Sequence, residues 1–345
     1  MKPIPHEDLK EIKVDCYIED MVRFWRMIYE RQCIFNKKDI EQRDPPWTED
    51  QILKNFKFTN VFREQDRGTR FVTDYIFEHC KDRKTLMFNI FVYRIFNKIE
   101  TFLAHGVINA ESYNKEEIIT LLRKVAEDVT VFTNAFVVSG YPFIPGADKI
   151  ERVANIFEFA IKTHMQMEDS QYDCICQDMR SAYNWFLSIN GVGPFLAYQM
   201  AVDLSYSPMV GFNEQYFVID GPGAKRGLRR LFPEWEIKRL GYENLNTWLA
   251  LKSGMWLSED TAINIDELFK YRPEHIMTVM DIENCLCEFS KYSKAVEMSG
   301  RPRNKYNQVE GVARQRCKER DATWLKKGLQ YNKFTKKHWN PKEGK

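Results

Sequence analysis

The sequence predicts a mainly α-helical fold, on three observations. Apolar residues recur at three- and four-residue spacing in several long segments, alternating β-branched runs are scarce, and Pro or Gly clusters separate the segments. Between residues 17 and 35, Val22, Trp25, Ile28 and Tyr29 share one helical face. Asp44-Pro45-Pro46-Trp47 ends that unit, and Thr48 with Gln51 three residues on has the form of an N-cap and its capping-box partner. Residues 85–104 read as a core helix through Leu86, Ile90, Tyr93, Phe96 and Phe102. Two further amphipathic patterns cover 116–127 and 150–164, with Gly140, Pro142, Pro145 and Gly146 marking a loop between them. Val131–Val138 is the best strand candidate and is too little to build a sheet. There is no internal repeat.

Composition narrows the class. The 345 residues suffice for one large or two ordinary domains, and 44% hydrophobic with 29% charged residues suits a water-soluble globule. Apolar runs are short, as in Met87–Phe96, which contains Asn89 and Arg94, and none approaches the roughly 20 residues of a membrane span. Residues 1–7 lack the apolar stretch of a secretory signal, so a cytoplasmic protein is expected. Eight cysteines stand at 16, 33, 80, 174, 176, 285, 287 and 317. The close pairs have one intervening residue, not the gaps of structural zinc or a four-cysteine cluster, so reduced thiols and no metal are expected.

Charge is uneven. Residues 301–345 hold 14 Lys and Arg against 4 Asp and Glu, a net +10 in a chain of +2, so the first 300 carry −8. Tyr306, Trp324, Tyr331, Phe334 and Trp339 interleave with this tail. Basic residues with rings suit phosphates and stacked bases; a solvated terminus is the alternative. The expected organisation is a helical domain over 1–300 and a basic tail over 301–345.

The most informative stretch is 183–227. Tyr183–Ile189 reads as a short helix, Asn190-Gly191-Val192-Gly193 as a tight turn, and Pro194 as the start of a helix running to about Leu204. Glycine permits positive φ and close approach, so Gly191 and Gly193 are candidates for gripping a DNA phosphate through backbone N–H groups. An ordinary helical corner is the bland reading. An apolar run then leads through Phe217-Val218-Ile219 to Asp220, a turn, and a basic helix start at Lys225 and Arg226.

This arrangement resembles the helix–hairpin–helix DNA glycosylase superfamily over about residues 181–232, with the catalytic aspartate mapping onto Asp220. That resemblance implies a glycosylase-like helical fold with the hairpin at about 183–204. Phe195 stands where bifunctional members carry a nucleophilic lysine, so Schiff-base chemistry is not expected. The link from hairpin to aspartate is longer than usual, around Pro208–Glu214.

A narrower resemblance rests on Arg23–Gln32, Pro46–Asp50, Phe58–Arg70, Gly191–Phe195, Asp220–Gly223 and Asp281–Tyr292. Together these look like the α-glutamyl/putrescinyl-thymine pyrophosphorylase group, itself similar to the helical domain of 5-hydroxymethyl-deoxyuridine DNA kinases. The match spans about residues 20–295, and Phe-Thr-Asn-Val-Phe-Arg-Glu-x-Asp-Arg is its most specific part. It implies bacteriophage DNA hypermodification, in which an amine displaces pyrophosphate from a pyrophosphorylated 5-hydroxymethyluracil in DNA, within the host cytoplasm. The implied partners are double-stranded DNA carrying modified thymine, an amino acid or polyamine donor, and a hydroxymethyluracil DNA kinase. The chain has no Gly-x-x-x-x-Gly-Lys-[Ser/Thr] loop, so it is not expected to be that kinase.

The residues fit such chemistry. Arg63, Arg67 and Arg70 offer bidentate donors for pyrophosphate and would share one face if their segment were helical, a salt-bridged surface with Glu64 and Asp66 being the alternative. Trp25, Trp47 or Phe62 would stack against an extruded base, though rings at helical spacing are more often core. Asp220 is the leading proton acceptor, with Glu283 and Glu288 as alternative bases or amine ligands. Cys285 or Cys287 is a candidate thiol for addition to the uracil ring, against inert burial. Lys291 and Tyr292 would contact phosphate or simply end a helix. No cofactor is expected, magnesium on the pyrophosphate being the one ion left open. A glycosylase using Asp220, and a non-catalytic DNA-binding module partnering a kinase, are the competing functions.

Overall fold

A computed structural model gives the structure of the protein and describes residues 3–133, 144–272, 275–300 and 302. All regular elements among them are helical, as the spacing of apolar residues predicts. In chain order, α1 (His6–Glu11), α2 (Ile18–Phe35) and α3 (Gln51–Asn55) are followed by α4 (Arg67–Phe71), α5 (Phe77–His79), α6 (Arg83–Phe96), α7 (Ile99–His105), α8 (Lys115–Asp128) and α9 (Lys149–His164). Next come α10 (Asp169–Ile175), α11 (Met179–Ser188) and α12 (Pro194–Ser205). The series ends with α13 (Pro222–Leu231), α14 (Glu234–Leu240), α15 (Tyr242–Glu259), α16 (Ile265–Leu268) and α17 (Val279–Val296).

The described residues group into two compact units. One runs to Asp66 and resumes at Glu214; the other is Arg67–Asn213. The span 1–300 read from sequence as one domain contains both, and the basic tail lies outside the described residues apart from Pro302.

Local expectations hold or shift for identifiable reasons. Helices α2, α8 and α9 match their amphipathic patterns to within about two residues. The apolar stretch 85–104 is two helices, because Asn97 takes a left-handed conformation at φ 47° and closes α6 before α7 begins. The N-cap of α3 is Asp50, not Thr48: Asp50 Oδ1 accepts the Ile52 and Leu53 N–H groups, each at 2.8 Å. A carboxylate outcompetes a hydroxyl at the positive end of a helix. Thr48 instead accepts the Asp50 N–H and donates to Glu30. Residues 131–133 are irregular, while the rest of the Val131–Val138 segment, with Gly140 and Pro142, lies outside the described residues.

In the unit Arg67–Asn213, Phe91 and Phe96 meet Phe157 edge-on at 5.5 and 5.6 Å. An enclosed ion pair joins α6 to α12, with Arg94 Nη2 donating to Asp203 Oδ1 at 2.7 Å. Helices α11 and α12 form the expected hairpin. Gly191 sits at φ 89°, which requires glycine; Gly193, the N-cap of α12, is extended at φ −90° and does not. Val192 is buried in the turn, and Pro194 opens α12 where its missing N–H is harmless.

In the other unit, α2, α13, α15 and α17 share one apolar core containing Phe24, Trp25, Leu228, Trp248, Leu286 and Phe289. Helices α13 and α17 touch at backbone distance. A Cβ built on Gly223 would lie 2.3 Å from Cys287 Sγ, and one on Gly227 would lie 2.3 Å from the Leu286 carbonyl oxygen. The three-residue gap puts both glycines on one face of α13, where only glycine lets α17 approach so closely.

Candidate active site

The site is built around α17, which buries residues on nearly every face and therefore carries its carboxylates inward. Its start is fixed by a capping box: Thr278 Oγ1 accepts the Asp281 N–H at 3.1 Å, and Asp281 Oδ2 accepts the Thr278 N–H at 3.0 Å. Asp281 Oδ1 also accepts the Arg63 N–H at 3.0 Å, which pins the 58–66 segment to this helix. Asn284 extends the seam, donating to the Asn60 carbonyl at 2.6 Å and accepting from Thr59 Oγ1 at 3.0 Å.

Asp220 is delivered by the apolar run before it. Phe217 and Val218 are buried, Gly221 caps α13 and Pro222 opens it, so the aspartate stands immediately before a helix start and is only 4% exposed. Asn246, on α15, donates from Nδ2 to Asp220 Oδ1 at 2.7 Å. The second oxygen, Oδ2, is buried without a hydrogen-bond partner, as is Asn246 Oδ1. Burial pushes the Asp220 carboxyl up to about 7; Glu243 adds to the rise, while the Asn246 hydrogen bond and Lys225 oppose it.

Glu283 lies on the other side of the same turn. Its Oε1 accepts the Gly221 N–H at 3.1 Å. Burial, then the neighbouring Asp220 and Glu288 charges, push it up to about 8, against the Gly221 hydrogen bond and Arg63. Asp220 and Glu283 thus form a buried acidic pair, and two enclosed like charges hold at least one proton near neutral pH. Such a pair can accept a proton from a cationic nucleophile or stabilise positive charge beside it.

The other expected residues divide by unit. Glu288 is buried, with Lys291 Nζ on its Oε1 at 2.5 Å and the Thr59 N–H 3.4 Å from Oε2. Lys225 lies over the Tyr242 ring at 5.4 Å, and Arg226 is exposed. Arg63 is buried and pairs with Asp66 at 3.2 Å. Arg67 and Arg70 are exposed and belong to the other unit, as do Gly191 and Gly193.

Two expectations need correction. The Arg63–Arg70 segment is not one helix: a single 3-10 turn at Arg63–Gln65 ends at an extended Asp66, and α4 starts afresh, so the three arginines do not share a helical face. Trp25 and Trp47 are core residues, 1% and 7% exposed, with Trp47 Nε1 donating to the Arg43 carbonyl at 2.9 Å. Phe62 is equally enclosed, 4.4 Å beneath the Arg272 guanidinium. None of the three rings is placed to stack on a base. For the thiols the inert reading fits: burial pushes Cys287 up to about 11 and Cys285 well above its ordinary value, leaving little thiolate for attack.

Glu64, Glu214 and Asp281 are the one group of three carboxylates among the described residues whose oxygens come within 4.8 Å of one another. Arg272 already supplies positive charge there, 2.6 Å from Asp281 and 3.6 Å from Glu64. Sequence reasoning missed Arg272, Asn246 and the Gly223–Gly227 crossing. The glycine spacing was a usable signal for the last; a lone amide or guanidinium on a distant segment gave none.

The family model described as "5-hmdU DNA kinase, helical domain" matches residues 19–300 of this chain. The chain is also similar to the 5-hmdU DNA kinase of Bacillus phage SP10, 26% identical over 291 residues. That match covers 78% of this chain and 44% of the relative, so the chain spans less than half of the relative's length. No solved structure matches. No helix among the described residues is long and apolar enough to cross a membrane.

Proposed function

This chain belongs to the family of 5-hmdU DNA kinase helical domains, and on that premise we propose that it modifies 5-hydroxymethyluracil-derived bases in DNA as an amine transferase. Its substrate in this reading is 5-pyrophosphoryloxymethyl-deoxyuridine in double-stranded DNA, supplied by a hydroxymethyluracil DNA kinase. The donor is an amine, from an amino acid or a polyamine.

The observation that carries the reading is the Asp220 carboxylate: enclosed, held by Asn246 through one oxygen, and lifted toward neutrality with the other oxygen unmet. A donor amine arrives as an ammonium and is not a nucleophile until it loses a proton. Asp220 Oδ2 takes that proton, with Glu283 sharing the charge. The amine nitrogen bonds to the exocyclic methylene carbon, the carbon–oxygen bond breaks, and pyrophosphate leaves with the electron pair. In the unit that holds Asp220, Arg63 is the proposed partner for pyrophosphate, and Lys225, Arg226 and Lys291 are proposed DNA contacts. In the other unit, Arg67, Arg70 and the Gly191–Gly193 turn are proposed by themselves as contacts to DNA phosphates.

The same carboxylate suits a glycosylase, where it would stabilise positive charge on the sugar as the base departs. Incubating the full chain with duplex DNA bearing the pyrophosphorylated base and an amine pool separates the readings. Released pyrophosphate with a heavier base supports transfer, an abasic site supports excision, and binding without turnover leaves a recruiting module.

A further inference from the structure

Helix α13 carries the cations Lys225, Arg226, Arg229 and Arg230 and no acidic residue. Arg230 is taken by Glu297 in an ion pair. Among the described residues, no carboxylate lies in ion-pair reach of Lys225, Arg226 or Arg229, although the two arginines are exposed and the lysine is half-buried. Every other arginine of this unit that is exposed or half-buried among its described residues has a carboxylate, as Arg26 has Asp260, Arg43 has Glu41 and Arg239 has Glu236. The background is acidic, because residues 1–300 sum to −8. The uncompensated positive charge is therefore local to one helix.

Spacing and one ring arrange these charges. Lys225 and Arg229 stand four residues apart, on one face and about one turn from each other. Two residues turn a helix by about 200°, so both point away from the face on which Gly223 and Gly227 meet α17. Tyr242, the first residue of α15, serves both: Lys225 Nζ lies 5.4 Å and the Arg229 guanidinium carbon 5.2 Å from its ring centroid. A ring face holds a cation in place without cancelling its charge, which a carboxylate would do. Two held cations on an outward helix face suit an anionic polymer of repeated charge, and arginine adds bidentate geometry for phosphate.

The position of Asp220 says which part of the polymer lies here. Asp220 immediately precedes the Gly221 cap of α13, and the Lys225 charge reaches its carboxyl. We propose that the Lys225–Arg229 face holds the sugar–phosphate backbone beside the target base, on the DNA strand that presents this base to Asp220. Arg229 is then a further phosphate-binding residue, and Tyr242 is the positioning residue for both cations. In naming that strand, the proposal rests on the reading in which Asp220 meets the base.

Titrations of the full chain with a fluorescent duplex carrying one 5-hydroxymethyluracil, across salt concentrations, test the face. Lys225→Gln and Arg229→Gln are each expected to weaken binding by roughly threefold or more and to lower the salt slope by about 0.9. Arg26→Gln removes a paired charge and leaves both quantities unchanged. Tyr242→Leu keeps every charge, so binding weakens at an unaltered slope, and Tyr242→Phe restores it, with thermal midpoints followed in parallel. Methylphosphonates at the phosphates flanking the target base weaken binding by the wild type more than binding by Arg229→Gln. Wild-type affinity and slope in both α13 variants, losses matched by Arg26→Gln, or equal methylphosphonate losses in wild type and Arg229→Gln overturn the proposal. Full affinity in Tyr242→Leu overturns the positioning role. The two readings fail separately. Amine addition with pyrophosphate release that is indifferent to Lys225 and Arg229 retires the face and leaves the transferase. Face-dependent binding by a chain that forms no adduct retires the transferase and leaves the face.

Discussion

Asn246 Nδ2 lies 2.7 Å from Asp220 Oδ1, a hydrogen bond made from α15 to the residue just before the Gly221 cap of α13. It orients the aspartate and favours its ionised form, leaving Oδ2 as the oxygen available to a proton. Replacing Asn246 with Ala removes a charge-assisted hydrogen bond worth about 1.5–3 kcal/mol. Turnover is expected to fall roughly 10- to 100-fold, and the acidic limb of its pH profile to move to higher pH. A lower rate with an unmoved profile would make Asn246 merely structural.

Stability carries the same signature. Asp220 and Glu283 both have folded-state pKa values raised above their unfolded ones, so the native state keeps protons that the unfolded chain releases above about pH 4. Their contribution is fully present below that pH and is lost as pH rises through about 7 to 8. The Asp220→Asn variant should therefore gain on the wild type between pH 5 and pH 8, by on the order of 2–4 kcal/mol. Urea denaturation at both pH values measures the difference, and a gap that stays constant contradicts the raised carboxyl.

The α13–α17 crossing predicts an asymmetric pair of glycine variants. Gly227→Ala drives a Cβ against backbone atoms of Leu286 and should cost about 1–3 kcal/mol or more, with no side-chain rescue. Gly223→Ala meets the Cys287 thiol first, so Cys287→Ala should recover part of the loss. Denaturant midpoints of the single and double variants decide this; equal rescue of both glycines would contradict the geometry.

Trp25 separates core from base stacking. Trp25→Ala should lose about 3–5 kcal/mol through the cavity it leaves, while Trp25→Phe keeps most of the stability and all of the DNA affinity. Weaker DNA binding by the Phe variant at unchanged stability would restore a stacking role.

How far the sequence was legible depended on how local each signal is. The helices α2, α8 and α9, the turn at Gly191 and the entry of Asp220 into α13 all follow from neighbouring residues. The break at Asn97 was hidden because a left-handed residue interrupts an otherwise continuous apolar pattern. Glu283 was legible as a carboxylate on a helix, but its pairing with Asp220 joins residues 63 positions apart through a Gly221 N–H. Asn246 had no local mark at all: its significance comes from what packs over it. The tryptophans show the opposite error, since ring chemistry suggests stacking while burial assigns them to the core.

In the proposed reaction Asp220 takes a proton from an amine that replaces pyrophosphate on a base which stays in the DNA. The direct measurement is mass spectrometry of nucleosides, with parallel pyrophosphate release, after wild type and Asp220→Asn meet pyrophosphorylated duplex DNA and an amine pool. The wild type is expected to give one amine adduct per pyrophosphate released, and Asp220→Asn to lose both with DNA affinity retained. Abasic sites, or an undiminished adduct yield from Asp220→Asn, would contradict it.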